Sequence, residues 1–521
     1  MQYPSEFSVI DVNGNHYMVT SNDEVKLNPK CSLLHAVNDI GNTFIVKLFD
    51  YQTEQEAQIL HRLITSHDLK YSALFADVIP LCQPFAGYVI DAEGGQLLLH
   101  SHFNNIRDRC VILSKTFQVA ETLEKQGYAI CAGADDAFLV TRSNRIKYCA
   151  PDCLYTVGDF VRLEGPELCR PPEAFPPGFR IADAAEFSYY AACIVCRQLL
   201  GKAPLEEINW QELDSDSENP EIDPFEFDDN YEFVDQGSPR LFPTLHSLDE
   251  KENMIVDADL ITRIEQCFCD GKINWYRDGL ANKIGEKQAD QLIKLQSSEE
   301  LFQMMISVFN NPTIAGQRPG IRQWVKACMR VAESASSCPR CHGYFQLETL
   351  YSNAANPSTL TCIFKKCGAR LGRIYRLKIA EFFQDRVDEP CRNTNGTTRQ
   401  PFKRLLETRL FNERDPEFHS VKSDFLFEDS HMHGYDLLQY GWYSHNGKEG
   451  PCVKLFCFDD SNDIKTVFHS FEPEAKIEAG DGYTQFLMKP QKTAVLATYI
   501  PRETIPRHYP HVLLVTVSEV E

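Results

Sequence analysis

Residues 127–154, GYAICAGADDAFLVTRSNRIKYCAPDCL, decide how we interpret the rest of the chain. Phe138–Val140 and Arg145–Tyr148 contain the apolar residues of two short β-strands, and the polar residues between them suit a tight turn. A helical pattern at 104–126 leads into this stretch. We therefore predict a helix, a loop, a small β-hairpin and a second loop.

Upstream of this stretch, Thr43–Asp50 is rich in β-branched and aromatic residues and predicts a strand that carries Lys47. Thr53–Ile64 predicts a helix in which Thr53 and Glu56 form a capping box. Glu54 or Glu56 could reach Lys47. By itself, a strand lysine followed by helical glutamates indicates only a structural ion pair.

Downstream, the segment 170–173 reads Arg-Pro-Pro-Glu. Asp183–Leu200 is an apolar helical pattern that stops before Gly201. A further helical segment begins at Arg318-Pro319 and carries Trp324.

In this order and spacing, these segments resemble a protein kinase domain. The resemblance assigns Lys47 and Glu56 to nucleotide binding, and it predicts a buried ion pair between Glu173 and Arg318. In an active kinase, one loop supplies a catalytic Asp and a metal-binding Asn, and the next loop supplies a metal-binding Asp.

The matching positions here are Ala132, Ala137 and Ala150. The resemblance therefore implies a kinase frame from which the catalytic groups are missing. Asp152 lies two residues beyond the lost metal ligand and could hold a cation only after a local shift. We interpret Asp135 and Asp136 as a solvated turn, and Glu186 as a replacement for the Asp that anchors the catalytic loop in kinases.

Two cysteine pairs follow the kinase-like region, Cys338 with Cys341 and Cys362 with Cys367. Four thiolates at this spacing would hold a structural Zn²⁺ in a zinc ribbon, although the second pair has four intervening residues where two are usual. His342 could replace one thiolate.

The second pair lies in the one clear basic concentration of the chain, in which phosphate contacts of a nucleic acid would be expected. Its members are Lys365, Lys366, Arg370, Arg373, Arg376 and Lys378.

An acidic insert at 203–239 contains thirteen Asp or Glu and no Lys or Arg. It is either a disordered acidic loop or a segment that docks on a basic surface, in this chain or in a partner. Its aromatic residues, Trp210 and Phe225 among them, would then act as anchors.

The remaining sequence predicts six or seven short strands and hence a small β-sandwich or barrel. The fold class is therefore α+β and multidomain: a bilobal protein-kinase-like fold, a zinc ribbon and an all-β C-terminal domain. The predicted segments are an N-lobe at 1–92, a C-lobe at 93–333, the zinc ribbon at 334–379, a linker at 380–422 and the β-domain at 423–521.

The motif set resembles a bacterial kinase-like family whose members carry a zinc-binding appendage. That family is associated with tellurite-resistance and stress-response systems, together with von Willebrand-type domain proteins and a metal-dependent phosphatase. The resemblance implies partners of those two kinds and a structural zinc. It also implies an ATP site, at which the missing metal ligands argue against Mg²⁺.

Composition limits the classes of function. The chain has 521 residues, 43% of them hydrophobic, and a formal net charge of −22. No apolar run approaches the ~18 residues of a membrane helix, and no export signal is evident, so we expect a cytoplasmic protein without a membrane partner. The charge argues against nonspecific DNA affinity over the whole surface, and it leaves room for a local basic patch.

Three functional hypotheses follow. The first is a pseudokinase scaffold in a stress-response or defence system, which recruits partners through the acidic insert and the C-terminal domains. The second is an active or atypical Ser/Thr protein kinase that uses Lys47, Glu56 and Asp152. The third is a nucleic-acid-binding adaptor that uses the basic zinc ribbon.

Overall fold

The structure is a computed structural model of the full chain. It describes residues 4, 6–28, 31–50, 74–103, 105–161, 169, 171, 180–200, 285–309, 317–352, 354, 360–364, 367–383, 402–422, 436–445, 447–456, 464–470, 476–480, 483–488, 494–501 and 511–520. These residues belong to two compact units, one that extends to Met329 and one that begins at Arg330.

The first unit begins with a six-stranded antiparallel sheet in the order β1-β2-β3-β4-β6-β5. Its strands are β1 (Glu6–Ile10), β2 (His16–Asn28), β3 (Cys31–Asn38), β4 (Thr43–Phe49), β5 (Val78–Pro80) and β6 (Ala86–Asp91). The β1–β2 hairpin turns at Asn13-Gly14, a dipeptide that hairpin turns favour, and Gly14 has a φ of 82°. Glycine adopts that left-handed conformation without a steric penalty.

This sheet curls until its two edge strands meet. A β-bridge joins Asp11 to Leu81, and the Cys82 N–H donates to the Ile10 carbonyl at 2.8 Å. The curl separates two buried clusters: Val9, Val19 and Val46 belong to one, and Leu33 and Tyr88 belong to the other. Because adjacent strand residues face opposite sides, this places Lys47 and its cross-strand partner Tyr88 on the second cluster's side.

The rest of the first unit combines helices with short strands. The helices are α1 (Ile106–Lys125), α2 (Ala184–Leu200), α3 (Glu286–Phe309) and α4 (Ile321–Ser334), the last of which continues past the boundary between the units. The strands are β7 (Gln96–Leu97), β8 (Tyr128–Ile130), β9 (Phe138–Val140), β10 (Ile146–Tyr148), β11 (Leu154–Thr156), β12 (Phe160–Val161) and β13 (Arg180–Ile181). The hairpin predicted within 127–154 is thus confirmed as β9 and β10, which pair antiparallel.

Buried aromatic residues connect these helices to the hairpin. The Phe187 ring on α2 lies between those of Phe117 on α1 and Phe138 on β9, with centroid distances of 6.3 and 5.9 Å. The Trp324 ring is fully buried, and its Nε1–H donates to the Ser188 hydroxyl at 3.1 Å. The Arg-Pro-x-x-x-x-Trp segment therefore contributes to the core that supports the hairpin.

The second unit starts with a small hairpin and a short helix: β14 (Ala335–Ser337), β15 (Tyr344–Gln346) and α5 (Leu347–Ser352). Two five-stranded sheets follow, in the orders β17-β16-β25-β24-β21 and β18-β19-β20-β23-β22. Their strands are β16 (Ile374–Phe383), β17 (Phe402–Asn412), β18 (His419–Lys422), β19 (Asp436–His445), β20 (Lys448–Phe456), β21 (Ile464–Ser470), β22 (Lys476–Gly480), β23 (Tyr483–Leu487), β24 (Ala494–Pro501) and β25 (His511–Val520).

Both five-stranded sheets contribute to one hydrophobic core, with Leu377 and Val517 from the first sheet and Tyr440 and Val453 from the second. The prediction of a linker at 380–422 is wrong, because β17, β18 and the end of β16 lie within that range. Charged residues alternate with apolar ones in these segments. The strands were not predicted because the charged residues were assigned to the zinc ribbon or to a linker. Asp424–Glu428, the first of the six or seven strands that we predict from the sequence, lies outside the described residues.

Among the described residues, no helix is long and apolar enough to cross a membrane.

Candidate functional site

Lys47 lies at the centre of a buried polar cluster in the first unit. Its side chain is only 3% exposed. The Nζ atom lies 3.0 Å from Asp152 Oδ2 and 3.5 Å from Asp136 Oδ2. The Tyr88 hydroxyl donates a short hydrogen bond to Asp152 Oδ1. Both oxygens of the Asp152 carboxylate therefore have partners within the chain.

Three separate segments bring these groups together. Lys47 and Tyr88 face each other across β4 and β6, whereas Asp152 lies in a 3-10 turn at Pro151–Cys153. Cys153 completes the cluster: its Sγ lies 3.2 Å from the Ala132 carbonyl oxygen and 4.0 Å from Lys47 Nζ. Sequence reasoning named Lys47 and Asp152 but missed Tyr88, because no local pattern shows which residue pairs across from Lys47.

The electrostatics of the cluster favour one protonation state. Burial is the largest single influence and lowers the pKa of Lys47, but its neighbours, Asp152 first among them, together outweigh burial and raise the pKa well above the ordinary value. Burial, and then the same carboxylate, raise the pKa of Tyr88. Burial also raises the pKa of Asp136. Lys47 is thus a buried cation at neutral pH, held by Asp152.

Ala132, Ala137 and Ala150 are buried in the two loops beside this cluster. The two loops are hydrogen-bonded to each other: the Cys131 N–H donates to the Cys153 carbonyl at 2.8 Å, and the Cys149 N–H donates to that of Ala137 at 2.9 Å. The three methyl groups offer no ligand to a cation.

Glu186 on α2 is placed where the sequence comparison with kinases led us to expect an anchor. Its Oε1 accepts a hydrogen bond from the Ala132 N–H at 3.2 Å. Ala132 has a φ of 61°, which is a left-handed conformation that costs an L-residue with a Cβ some energy.

The interpretation of Asp135 and Asp136 as a solvated turn is wrong. Both are buried, at 1% and 2% exposure. Arg197 Nη1 on α2 donates to Asp135 Oδ1 at 2.6 Å, and Asp136 lies near Lys47. Arg197 lies near the end of a mostly apolar helix, and a cation in that position was the signal in the sequence for a buried carboxylate partner.

Three other predicted features of the first unit lie outside the described residues. These are Glu56 with its helix, Glu173 and the acidic insert at 203–239. The Arg318 guanidinium is described: it is buried and lies 5.3 Å from the centroid of the Tyr189 ring. Its pairing with Glu173 stays a prediction.

The second candidate site is formed by Cys338, Cys341, Cys362 and Cys367, whose sulfur atoms all lie within 4.8 Å of one another. The Cys338–Cys367 and Cys341–Cys362 Sγ distances are both 3.6 Å, so the thiols are close without forming disulfides. His342 is exposed and is not part of the group. The four intervening residues of the second pair therefore do not prevent it from meeting the first.

This group fits a tetrahedral zinc ion. A Zn–S bond of about 2.3 Å implies an S–S separation of about 3.8 Å, near the distances observed. Burial raises the pKa of Cys341 to about 11 and raises that of Cys362 further. In Cys367 burial acts in the same direction, but the Ala369 N–H and the neighbouring thiols lower its pKa. A divalent cation would keep all four groups as thiolates, so the four cysteines could hold one.

Supporting contacts around the cysteines were not visible in the sequence. Asp415 accepts from the Ser337 hydroxyl at 2.9 Å and from the Ser337 N–H at 3.1 Å, directly before Cys338. His419 Nε2 lies 3.0 Å from the same carboxylate. Gly343 is needed because an added Cβ would lie 2.2 Å from the Phe364 ring.

The predicted basic residues divide into two groups in the structure. Arg373 is paired, with its Nε 2.7 Å from Glu413, whereas Arg370 and Lys378 are exposed and Arg376 is partly exposed. Lys365 and Lys366 lie outside the described residues.

No protein-family model and no curated protein matches the chain. Among solved structures, a weak neighbour is the ROP18 kinase domain in complex with AMP-PNP and sucrose. The match has 13% sequence identity and a TM-score of 0.28, and it covers 38% of this chain and 68% of that one. A TM-score this low assigns neither a fold nor a function to the chain.

Proposed function

We propose that this protein is a pseudokinase scaffold: a bilobal kinase-like frame, with lobes at 1–92 and 93–333, that presents surfaces to partners without transferring phosphate. The proposal rests on the sequence resemblance and on one structural observation. The lysine that would hold nucleotide phosphates, Lys47, is held at 3.0 Å by Asp152.

The cluster around Lys47 supports a role in stability better than a role in catalysis. A nucleotide phosphate would have to displace Asp152 from Lys47, and it would also leave Tyr88 without its acceptor. Separating a buried ion pair leaves uncompensated charge and costs several kcal/mol. The cluster therefore opposes nucleotide binding energetically.

The residues present do not fit a magnesium-nucleotide complex. Phosphoryl transfer depends on metal ions that neutralise charge on the phosphates, and oxygen ligands hold those ions. Ala132, Ala137 and Ala150 supply none. The runner-up function, an active or atypical protein kinase, would require Asp152 or Asp136 to leave Lys47 and bind the metal.

The rest of the proposal rests on sequence. A bacterial stress-response context, with a von Willebrand-type protein and a phosphatase as partners, follows from the family resemblance. Recruitment through the acidic insert follows from its composition. A structural zinc in the second unit is supported by the cysteine geometry.

Thermal-shift titration with ATP, with and without Mg²⁺, tests the proposal. A pseudokinase with Lys47 occupied should show no shift at millimolar ATP, because a ligand stabilises a protein measurably only when its concentration is comparable to its Kd or higher. A shift that requires Mg²⁺, together with phosphate release from labelled ATP, would establish the kinase alternative instead. A shift without Mg²⁺ would indicate a nucleotide-sensing scaffold.

A further inference from the structure

Cationic side chains from three separate chain segments converge near the second cysteine pair. Arg340 Nη1, from the first cysteine pair, donates to the Cys367 carbonyl at 2.9 Å. Arg414, from the β17–β18 loop, donates to the Arg370 carbonyl at 3.4 Å. Arg370 itself is exposed, as are Arg340 and Arg414. Three guanidinium groups therefore surround one short loop.

Strand β16 extends this group of cations. Arg376 and Lys378 alternate with Tyr375, Leu377 and Ile379, which face the core. Their side chains therefore share the outer face of the sheet, about 7 Å apart at the strand rise of ~3.3 Å per residue. Their cross-strand neighbours on β25 are Ser518 and Thr516, both partly exposed hydroxyl residues.

We call this surface the basic track; its members are Arg340, Arg370, Arg376, Lys378 and Arg414. Among the residues that the structure describes, none of the five forms an ion pair. Arg373 lies between Arg370 and Arg376 in sequence but is engaged by Glu413 and Glu519, at 2.7 and 4.0 Å. The nearby acids thus neutralise Arg373 and leave the track positive.

The local charge contrasts with that of the chain. Residues 334–379 contain seven Lys or Arg and one Asp or Glu, a net charge of +6 in a chain with a net charge of −22. Like charges held together repel, and a bound anion offsets that repulsion. The extended arrangement, from the cysteine loop along a strand, suits a polymer of negative charges better than a single small anion.

We propose that the basic track binds the phosphate backbone of a nucleic acid without reading its sequence. Arginine forks suit bidentate contacts with phosphate, and serine and threonine hydroxyls beside lysine and arginine are common phosphate donors. All five members of the track are arginine or lysine, side chains that commonly contact phosphate. This inference is independent of the kinase question, because it uses only residues of the second unit.

Fluorescence anisotropy of the zinc-loaded full-length protein tests the proposal. The probes are labelled oligonucleotides of about 20 nucleotides: single-stranded RNA, single-stranded DNA and duplex DNA. Five phosphate contacts at a slope of about 0.7 to 0.9 each predict that log K falls with log salt at a slope near −4. The binding expected at about 50 mM salt has a Kd in the micromolar range.

The Arg370→Glu/Lys378→Glu variant removes two exposed cations that form no ion pair among the described residues. We expect at least about a tenfold loss of affinity and a salt slope that is shallower by about 2, one for each cation. Lys287→Glu/Arg322→Glu is the matched control, since it changes the charge equally at exposed positions of the first unit. It should change affinity by less than about threefold and leave the slope unaltered.

Three outcomes would overturn the proposal. One is the absence of binding by all three probes at low salt, and another is an equal loss of affinity in the two double variants. The third is binding of a poly-glutamate peptide, sensitive to the track variant, without nucleic acid binding. That third result would assign the track to an acidic protein segment. Zinc content and thermal melting, measured in parallel, show that the variants remain folded.

Discussion

The two polar clusters of this protein differ in the charges that they bring together. Around Lys47, unlike groups meet: one ammonium, two carboxylates and a phenol, all buried, with Lys47 near both carboxylates and Tyr88 donating to Asp152. Around Cys338, four identical groups meet, and none can neutralise another. The first cluster pairs its cation with carboxylates of the same chain, whereas four thiolates in the second would repel one another without a cation. The comparison therefore separates a group of paired charges from a group of four cysteines that could hold a metal ion.

The largest effect should come from removing the metal ligands of the second cluster. Structural zinc contributes about 10–16 kcal/mol of apparent binding energy in small zinc-binding peptides, and that energy is coupled to folding. Cys362→Ser should therefore abolish zinc retention and unfold the cysteine module. Zinc release to a chromogenic chelator and a circular-dichroism melt provide the measurements.

Cys82→Ser is the control for that prediction, because Cys82 is exposed and lies outside the cluster. It should retain about one zinc per chain, the number that a single tetrahedral site holds. Wild-type protein produced with zinc in the medium, yet containing far less than one equivalent, would contradict the assignment.

Breaking the first cluster should give the next largest effect. Lys47→Met removes the cation from two buried carboxylates, and loss of one partner of a buried pair costs about 3–5 kcal/mol. The surface variant Lys125→Met, which breaks an exposed pair with Glu121, should cost no more than about 1 kcal/mol. Urea unfolding measures both free energies.

The pH dependence sharpens this prediction. Because Asp152 raises the pKa of Lys47, the contribution of Lys47 to stability is fully present below its unfolded pKa of about 10.5. It is lost as pH rises through the folded value. The difference between wild type and Lys47→Met should therefore stay constant from pH 7 to about 10 and shrink above that. A cost below about 1 kcal/mol at pH 7 would show that the cluster is not tightly coupled.

The parts of both clusters that the sequence predicted are encoded locally. The spacing of Cys338 and Cys341 and the apolar residues Phe138–Val140 each act over a few neighbouring residues. Their places in the cysteine group and in a strand follow from that short range.

The parts that sequence could not predict depend on contacts between distant segments. Tyr88 lies beside Lys47 and Asp152 because β6 pairs with β4. The buried Asp135 forms its ion pair with Arg197, which lies on α2. Strand β17 was missed because its charged residues conceal its alternation. For Tyr88 and Asp135 the deciding partner lies far away in sequence, so no local pattern records it.

A smaller effect should come from the carboxylate that supports the first cysteine pair. Burial raises the pKa of Asp415, but the hydrogen bond with His419 and the neighbouring donors outweigh it and lower the pKa. Asp415→Asn removes the charge and one acceptor from a buried network, which costs about 1–3 kcal/mol. Thermal melting near pH 7 measures the loss.

The contribution of Asp415 should be present above its unfolded pKa of about 3.8 and disappear as pH falls through the lower folded value. Glu413→Gln is a matched control, since Glu413 pairs with the exposed Arg373, and it should be nearly neutral. Equal costs for the two variants would mean that Asp415 does not stabilise the approach to Cys338.

The smallest effect concerns two alanines beside the Lys47 cluster. Ala132 and Ala150 are both buried, but only Ala132 has a left-handed φ, at 61°. Each glycine substitution removes one methyl group and adds unfolded-state entropy, whereas only Ala132→Gly also relieves strain of about 1–2 kcal/mol. Ala132→Gly should therefore be more stable than Ala150→Gly by that amount, as judged from urea midpoints at a common slope. Indistinguishable midpoints would show that the Glu186 hydrogen bond to the Ala132 N–H holds a relaxed backbone. The loop beside Lys47 would then adopt its conformation without backbone strain.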